Sequence, residues 1–134
     1  MYNNIVDSDR GLFHGVSIND SFSDVKTAEK NSVLTLENDY TLEFKQVLSN
    51  GSLKTHYAFD EIGLYKIEVL VSSDSPEKTK EIENKLSAFY SSEFGTGTIT
   101  QDYETWLFAD EKIILELRKL QNKKEIIITF EALE

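Results

Sequence analysis

The chain has 134 residues, no cysteine, a single proline and a formal net charge of −10 from 24 acidic and 14 basic side chains. That length suits one domain with a sizeable core, and the missing cysteine excludes disulfide frameworks, thiol catalysis and cysteine-ligated metal. The acidic balance disfavours nucleic acid and anionic membranes, and no apolar stretch approaches the ~20 residues of a membrane span.

Met1 to Arg10 is polar and reads as a frayed lead-in without a targeting signal. The chain as given is therefore expected in the cytoplasm, or in the periplasm as a soluble protein or lipoprotein if a leader precedes it. Leu133-Glu134 reads equally well as native or vector-derived. Leu12 to Ile18 is expected to be extended. Ser21-Phe22-Ser23-Asp24 matches a capping box and predicts a short helix to about Lys30, with Phe22, Val25 and Ala28 on one face. Val33 to Glu37 predicts a short strand, although pairing it through Asn38-Asp39 sets Thr35 opposite Leu42 and Leu34 opposite Glu43, a poor register.

Tyr40 to Val71 predicts a three-stranded meander. Asn50-Gly51 suits a type I′ turn, which pairs Leu48 with Leu53, Phe44 with Tyr57 and Leu42 with Phe59. The next turn, Asp60-Glu61-Ile62-Gly63, fits a loop with Gly63 as a positive-φ bulge residue, so that Phe59 faces Tyr65 and Tyr57 faces Ile67. Ser75-Pro76-Glu77 then starts a helix that runs to about Phe94 with Ile82, Leu86, Phe89 and Tyr90 on its apolar stripe and Gly95 at its end. A second meander follows. A turn at Asp110-Glu111 sets Trp106 opposite Leu115 and Phe108 opposite Ile113; one at Asn122-Lys123 sets Leu117 opposite Ile128 and Leu115 opposite Phe130.

The fold class is thus α+β: one antiparallel β-sheet from two meanders, with two main helices packed on one face. It is a single domain, 1–134, whose halves 11–71 and 75–133 suggest a distant αβββ duplication with an acidic turn in each half.

The chemistry-bearing residues are sparse. His56 falls opposite Glu68 on the face away from the core, which is a surface electrostatic pair, and His14 beside Gly15 has no assignable partner. The carboxylate pairs Asp60-Glu61, Asp102 with Glu104, and Asp110-Glu111 read as solvated turn acids. Gly95-Thr96-Gly97-Thr98 lacks the lysine and the following helix of a phosphate loop. No catalytic residue, metal ligand or cofactor site is assigned. What remains is a surface: alternation sends Tyr103, Leu107, Ile114 and Ile127 away from the core, where Arg118 joins them, and such a patch resembles an interface.

The segment Gly15-Val16-Ser17-Ile18-Asn19-Asp20-Ser21-Phe22-Ser23-Asp24-Val25 resembles the opening of the helix-plus-meander units of the beta-lactamase-inhibitor-protein-like group and its small outer-membrane lipoprotein relatives. There a G-I-x-I-G-x-S strand runs into a helix carrying a D/E-V pair. Tyr57-Ala58-Phe59-Asp60-Glu61-Ile62-Gly63-Leu64 is similar to the hairpin of those units. Asn19 stands where the glycine is usual, and the G-x-P after the first helix is absent. The resemblance spans 11–71 and implies the fold and a non-catalytic, protein-binding habit.

Three functions are compatible with these residues. The first is a small binding module of inhibitor or immunity-protein type, acting through an open sheet face or its hairpin loops on a protein partner, with a basic partner suiting the acidic chain. The second is a ligand-binding or enzymatic domain with a pocket between sheet and helices, and the third a subunit that self-associates through the patch.

Overall fold

A computed structural model describes residues 1–6, 11–119 and 124–133. Eight strands form one antiparallel sheet: β1 (Val33–Glu37), β2 (Thr41–Leu48), β3 (Gly51–Phe59), β4 (Leu64–Ser73), β5 (Thr98–Thr100), β6 (Tyr103–Phe108), β7 (Ile113–Lys119) and β8 (Glu125–Ala132). Across the sheet the order is β1-β2-β3-β4-β8-β7-β6-β5. Helices α1 (Tyr2–Ile5), α2 (Phe22–Ala28) and α3 (Pro76–Phe94) lie on one face. Each half is a helix followed by a four-stranded meander, and the last strands of the two halves, β4 and β8, pair at the centre. The repeat unit is thus αββββ and not αβββ: β1, expected as a short strand, and β5, unexpected from the sequence, form the two edges of the sheet.

The helix starts follow the local chemistry. Ser21 and Asp24 form a reciprocal capping box at the start of α2, and the hydrogen bonds from Ser21 lower the Asp24 carboxyl below its usual value. Ser75 caps α3, Pro76 occupies its first turn, and Gly95 ends it with φ 91°. On α3, Ile82, Leu86 and Tyr90 are buried, and the Tyr90 ring meets Trp106 at 5.5 Å and Phe130 at 6.3 Å between centroids. Leu42, Phe44, Leu53, Tyr57, Ile67, Leu115, Ile128 and Phe130 complete the core from the sheet side. Complete burial contributes roughly 1.5–3 kcal/mol for each large aliphatic or phenylalanine side chain.

Several registers differ from the sequence-based expectation. Leu42 faces Tyr57, Phe44 faces Thr55 and Leu48 faces Gly51, a slip of two residues that moves the turn to Ser49-Asn50. Side-chain direction repeats every two residues, so the slip leaves every residue on its expected face. Gly51 is needed for close approach: it lies in β3, and a Cβ there would collide with the Ser72 carbonyl and the Met1 methyl. At the next turn Gly63 has φ 147°, positive as expected, and Tyr57 does face Ile67. Phe59, however, faces Leu64, because the register shift falls at Ala58/Phe59 and leaves Tyr65 as the extra residue. Strand β1 spans the expected residues but resolves its poor register with a bulge at Thr35, so Leu34 faces Phe44 and Leu36 faces Glu43. Thr35 Oγ1 donates there to the Glu43 carbonyl and carboxylate.

The N-terminal region is more ordered than its composition suggests. Met1 to Val6 carries α1 with Ile5 buried, whereas the rest of the expected lead-in, 7–10, falls outside the described residues. Leu12 to Ile18 forms no strand. It makes a tight turn at His14-Gly15, closed by a bridge between Phe13 and Val16. In the second meander, Trp106 faces Leu115, Phe108 faces Ile113, Leu117 faces Ile128 and Leu115 faces Phe130, all as expected. The turn at Asn122-Lys123 lies outside the described residues.

The antiparallel pairings bring the turns 38–40, 60–63 and 109–112 and the last residues of β8 to one end of the sheet. These three turns carry Asp39, Asp60, Glu61, Asp110 and Glu111 against one base, Lys112. The two acidic turns are not equivalent in the repeat: 60–63 joins the third and fourth strands of its half, and 109–112 the second and third. What they share is an end of the sheet.

Candidate partner-binding face

All three helices occupy one side of the sheet, so the alternate residues of each strand form a second, helix-free face. On β6, β7 and β8 it carries the five residues assigned from the sequence. Leu107 lies beside Ile114, and Tyr103 beside Arg118, which lies beside Ile127. The structure keeps the expected register and places the five in two rows on this face, separated by the polar row Thr105, Glu116 and Thr129. Leu107 is 49% exposed and Arg118 is exposed, whereas Tyr103, Ile114 and Ile127 are half-buried. Leu70, opposite Ile127 on β4, extends the apolar row across the central seam.

On the same face of β2, β3 and β4 charged residues are more frequent. His56 faces Glu68 in the ladder, as expected, and its Nδ1 lies 3.8 Å from Glu43 Oε1, which also receives Lys54 Nζ at 3.8 Å. These are surface electrostatic contacts, and on this face the exposed apolar side chains of this half, Val33, Leu36 and Val47, lie on its outer strands β1 and β2.

His14 does have partners, contrary to the sequence expectation. Its Nδ1 lies 2.7 Å from Glu29 Oε1 and its Nε2 meets the Asn4 carbonyl, while its ring stacks on Phe13 at 3.7 Å. Both ring nitrogens therefore face acceptors, an arrangement that the doubly protonated imidazole completes. Glu29, only 3% exposed, also accepts from the Tyr57 hydroxyl at 2.6 Å and the Ser32 hydroxyl at 3.2 Å. Burial, followed by the Glu29 charge, pushes the Tyr57 hydroxyl well above its ordinary value of 10. This knot ties α1, the 11–16 turn, α2 and β3 together. A polar cavity of about 200 Å³ borders it, but Glu29 and both His14 nitrogens are already engaged by protein groups.

The knot escaped the sequence reading because its members come from separate elements. The available signal was Tyr57 itself, a hydroxyl on a core-facing position that requires a buried acceptor. Among the described residues, no group of three or more His, Cys, Asp or Glu side chains could hold a metal ion, and no helix is long and apolar enough to cross a membrane.

A groove of about 210 Å³ lies between α3 and the β5–β6 turn, lined by polar groups such as Lys80, Asn84 and Gln101, with Ser87 donating to Glu104 at 2.6 Å. A broader concavity, about 890 Å³, lies at the acidic end of the sheet.

No family model matches the chain, and no curated protein matches it. Among solved structures it is similar to a DUF4309 family protein (YjgB) from Bacillus subtilis subsp. subtilis str. 168, with a TM-score of 0.51 and 11% sequence identity, covering 98% of this chain and 90% of that one. At that identity the likeness is one of fold alone.

Proposed function

We propose that this chain is a small protein-binding module of inhibitor or immunity-protein type that engages its partner through the helix-free sheet face. The observation that carries this reading is the placement of Tyr103, Leu107, Ile114, Arg118 and Ile127 on one face that, among the described residues, no helix covers. An aromatic and an arginine beside aliphatic side chains are the residue types of interface centres. The resemblance of 11–71 to inhibitor-type units supports the same reading.

The test is affinity capture from the native lysate with wild type and with Leu107→Ser/Ile114→Ser, beside sedimentation of each isolated protein. The expected result is a partner, or a self-associated species, held by wild type and weakened by ~1–2 kcal/mol or more in the variant, with folding intact. Undiminished association would remove the face from the function, and an unfolded variant would make the two side chains core.

A further inference from the structure

Resting on the binding-module reading, we infer that the cleft at the acidic end of the sheet receives a lysine or arginine side chain from a basic segment of a partner protein. The cleft, about 890 Å³, is walled by Tyr40, Asp60, Glu61, Ile62, Tyr65 and Glu131, and no basic residue lines it. Among the described residues none of its three carboxylates makes an ion pair within 4 Å, although Lys66 stands opposite Glu131 in the β4–β8 ladder. Three large apolar side chains converge on the same place in an exposed state: Tyr40 at 60%, Ile62 at 78% and Tyr65 at 36%.

The local backbone builds this arrangement. Tyr65 is the residue that the register shift adds to β4, and such an irregularity re-aims a side chain away from the ladder. Asp60 Oδ1 is held by the amides of Ile62 at 2.9 Å and Gly63 at 3.2 Å, which fixes the turn and its carboxylate. Gly63 in turn backs onto Asn19, whose amide donates to the Leu64 carbonyl at 2.8 Å. Carboxylates beside tyrosine rings recognise a cation, and an aliphatic wall suits the hydrocarbon stem that carries it. A long basic side chain has both parts.

A partner protein is favoured over a free amine because the cleft adjoins the proposed binding face. Glu131 lies directly beside Ile114 in the β7–β8 ladder, so the wall of the cleft is the next residue after the patch. The five acids in the three turns at this end add a long-range field that draws a basic segment to this rim.

The test is an NMR titration of the 15N-labelled full chain at low salt with N-acetyl-Gly-Arg-Gly-amide, and with the same peptide carrying neutral citrulline in place of arginine. The expected result is saturable amide shifts centred on Tyr40, 60–65 and 131–132, with binding at least fivefold weaker for the citrulline peptide and for the arginine peptide on Glu61→Gln/Glu131→Gln. Leu107→Ser/Ile114→Ser should bind the arginine peptide as wild type does, so failure of the face and failure of the cleft read separately. Non-saturable shifts spread over the acidic surface overturn the inference, as does a loss of less than fivefold in either comparison. Cleft amides that shift with protein concentration alone would make the occupant a basic residue of a second copy, which also overturns it.

Discussion

The helix-free faces of the two halves are built on the same architecture and differ in chemistry at their centres, charged on β3 and aliphatic on β7 and β8. On β2 to β4 the outward positions hold Thr41, Glu43, Lys45, Lys54, His56, Lys66 and Glu68 with Val47, Ala58 and Leu70; on β6 to β8 they hold Tyr103, Leu107, Ile114 and Ile127 beside Arg118, with Thr105, Glu116, Thr129 and Glu131 among them. Core burial does not require this difference, since the other side of each strand supplies the core in both halves. A sheet face that only meets water is expected to be polar throughout, and the aliphatic and aromatic positions of the second half are what the proposed binding function rests on.

The comparison presupposes that the covered face holds the fold, and Glu29→Ala tests this most severely. It leaves the Tyr57 hydroxyl and His14 buried around a missing carboxylate, and a loss of about 3–5 kcal/mol is expected in urea unfolding. A loss below 1 kcal/mol would show that the knot is not structural. Gly63→Val comes next, with an expected cost of about 1–3 kcal/mol, because valine is strained at φ 147° and its Cβ would collide with the Asn19 backbone. An unchanged melting midpoint would contradict the observed packing of that turn.

Alkaline pH probes the covered face without mutation. Burial raises the Tyr57 and Tyr90 hydroxyls above the ordinary value of 10, so above that pH the unfolded chain releases protons that the folded chain retains. Stability is therefore fully present below about pH 10 and falls as pH rises towards the folded values, by up to ~1.4 kcal/mol per pH unit for each tyrosine. The slope should be shallower in Tyr90→Phe. The smallest expected effects lie on the open face. Leu107→Ser/Ile114→Ser should cost under about 1 kcal/mol yet weaken association, and His56→Gln should change stability by no more than about 0.5 kcal/mol and leave association intact. Equal effects on binding from the two halves would abolish the contrast.

Much of this architecture was legible locally. The caps of α2 and α3 and the whole β6–β8 register follow from turn residues and alternation, and so does the placement of the five patch residues. The β2–β3 hairpin was misplaced by two residues because Asn50-Gly51 carries a turn signature, whereas tertiary contact with Ser72 and Met1 claims the glycine for the strand. The knot around Glu29 and the cleft were not legible. Both are assembled from residues distant in sequence, such as Tyr40 with Glu131, which only the pairing of the two halves brings to one end.

That pairing has a kinetic consequence. Each meander closes through short turns, but β4 and β8 must find each other across long stretches of chain, as in the bond from Ser72 Oγ to Glu125 Oε2, 53 residues apart. Loop-closure entropy makes such a union late and slow relative to hairpin formation. Until it forms, each half presents a bare central strand rich in valine, leucine and isoleucine to the solution, where another chain's β4 or β8 can pair with it. Refolding at high concentration should therefore trap exchanged dimers, in which one molecule's β4 is zipped to its neighbour's β8.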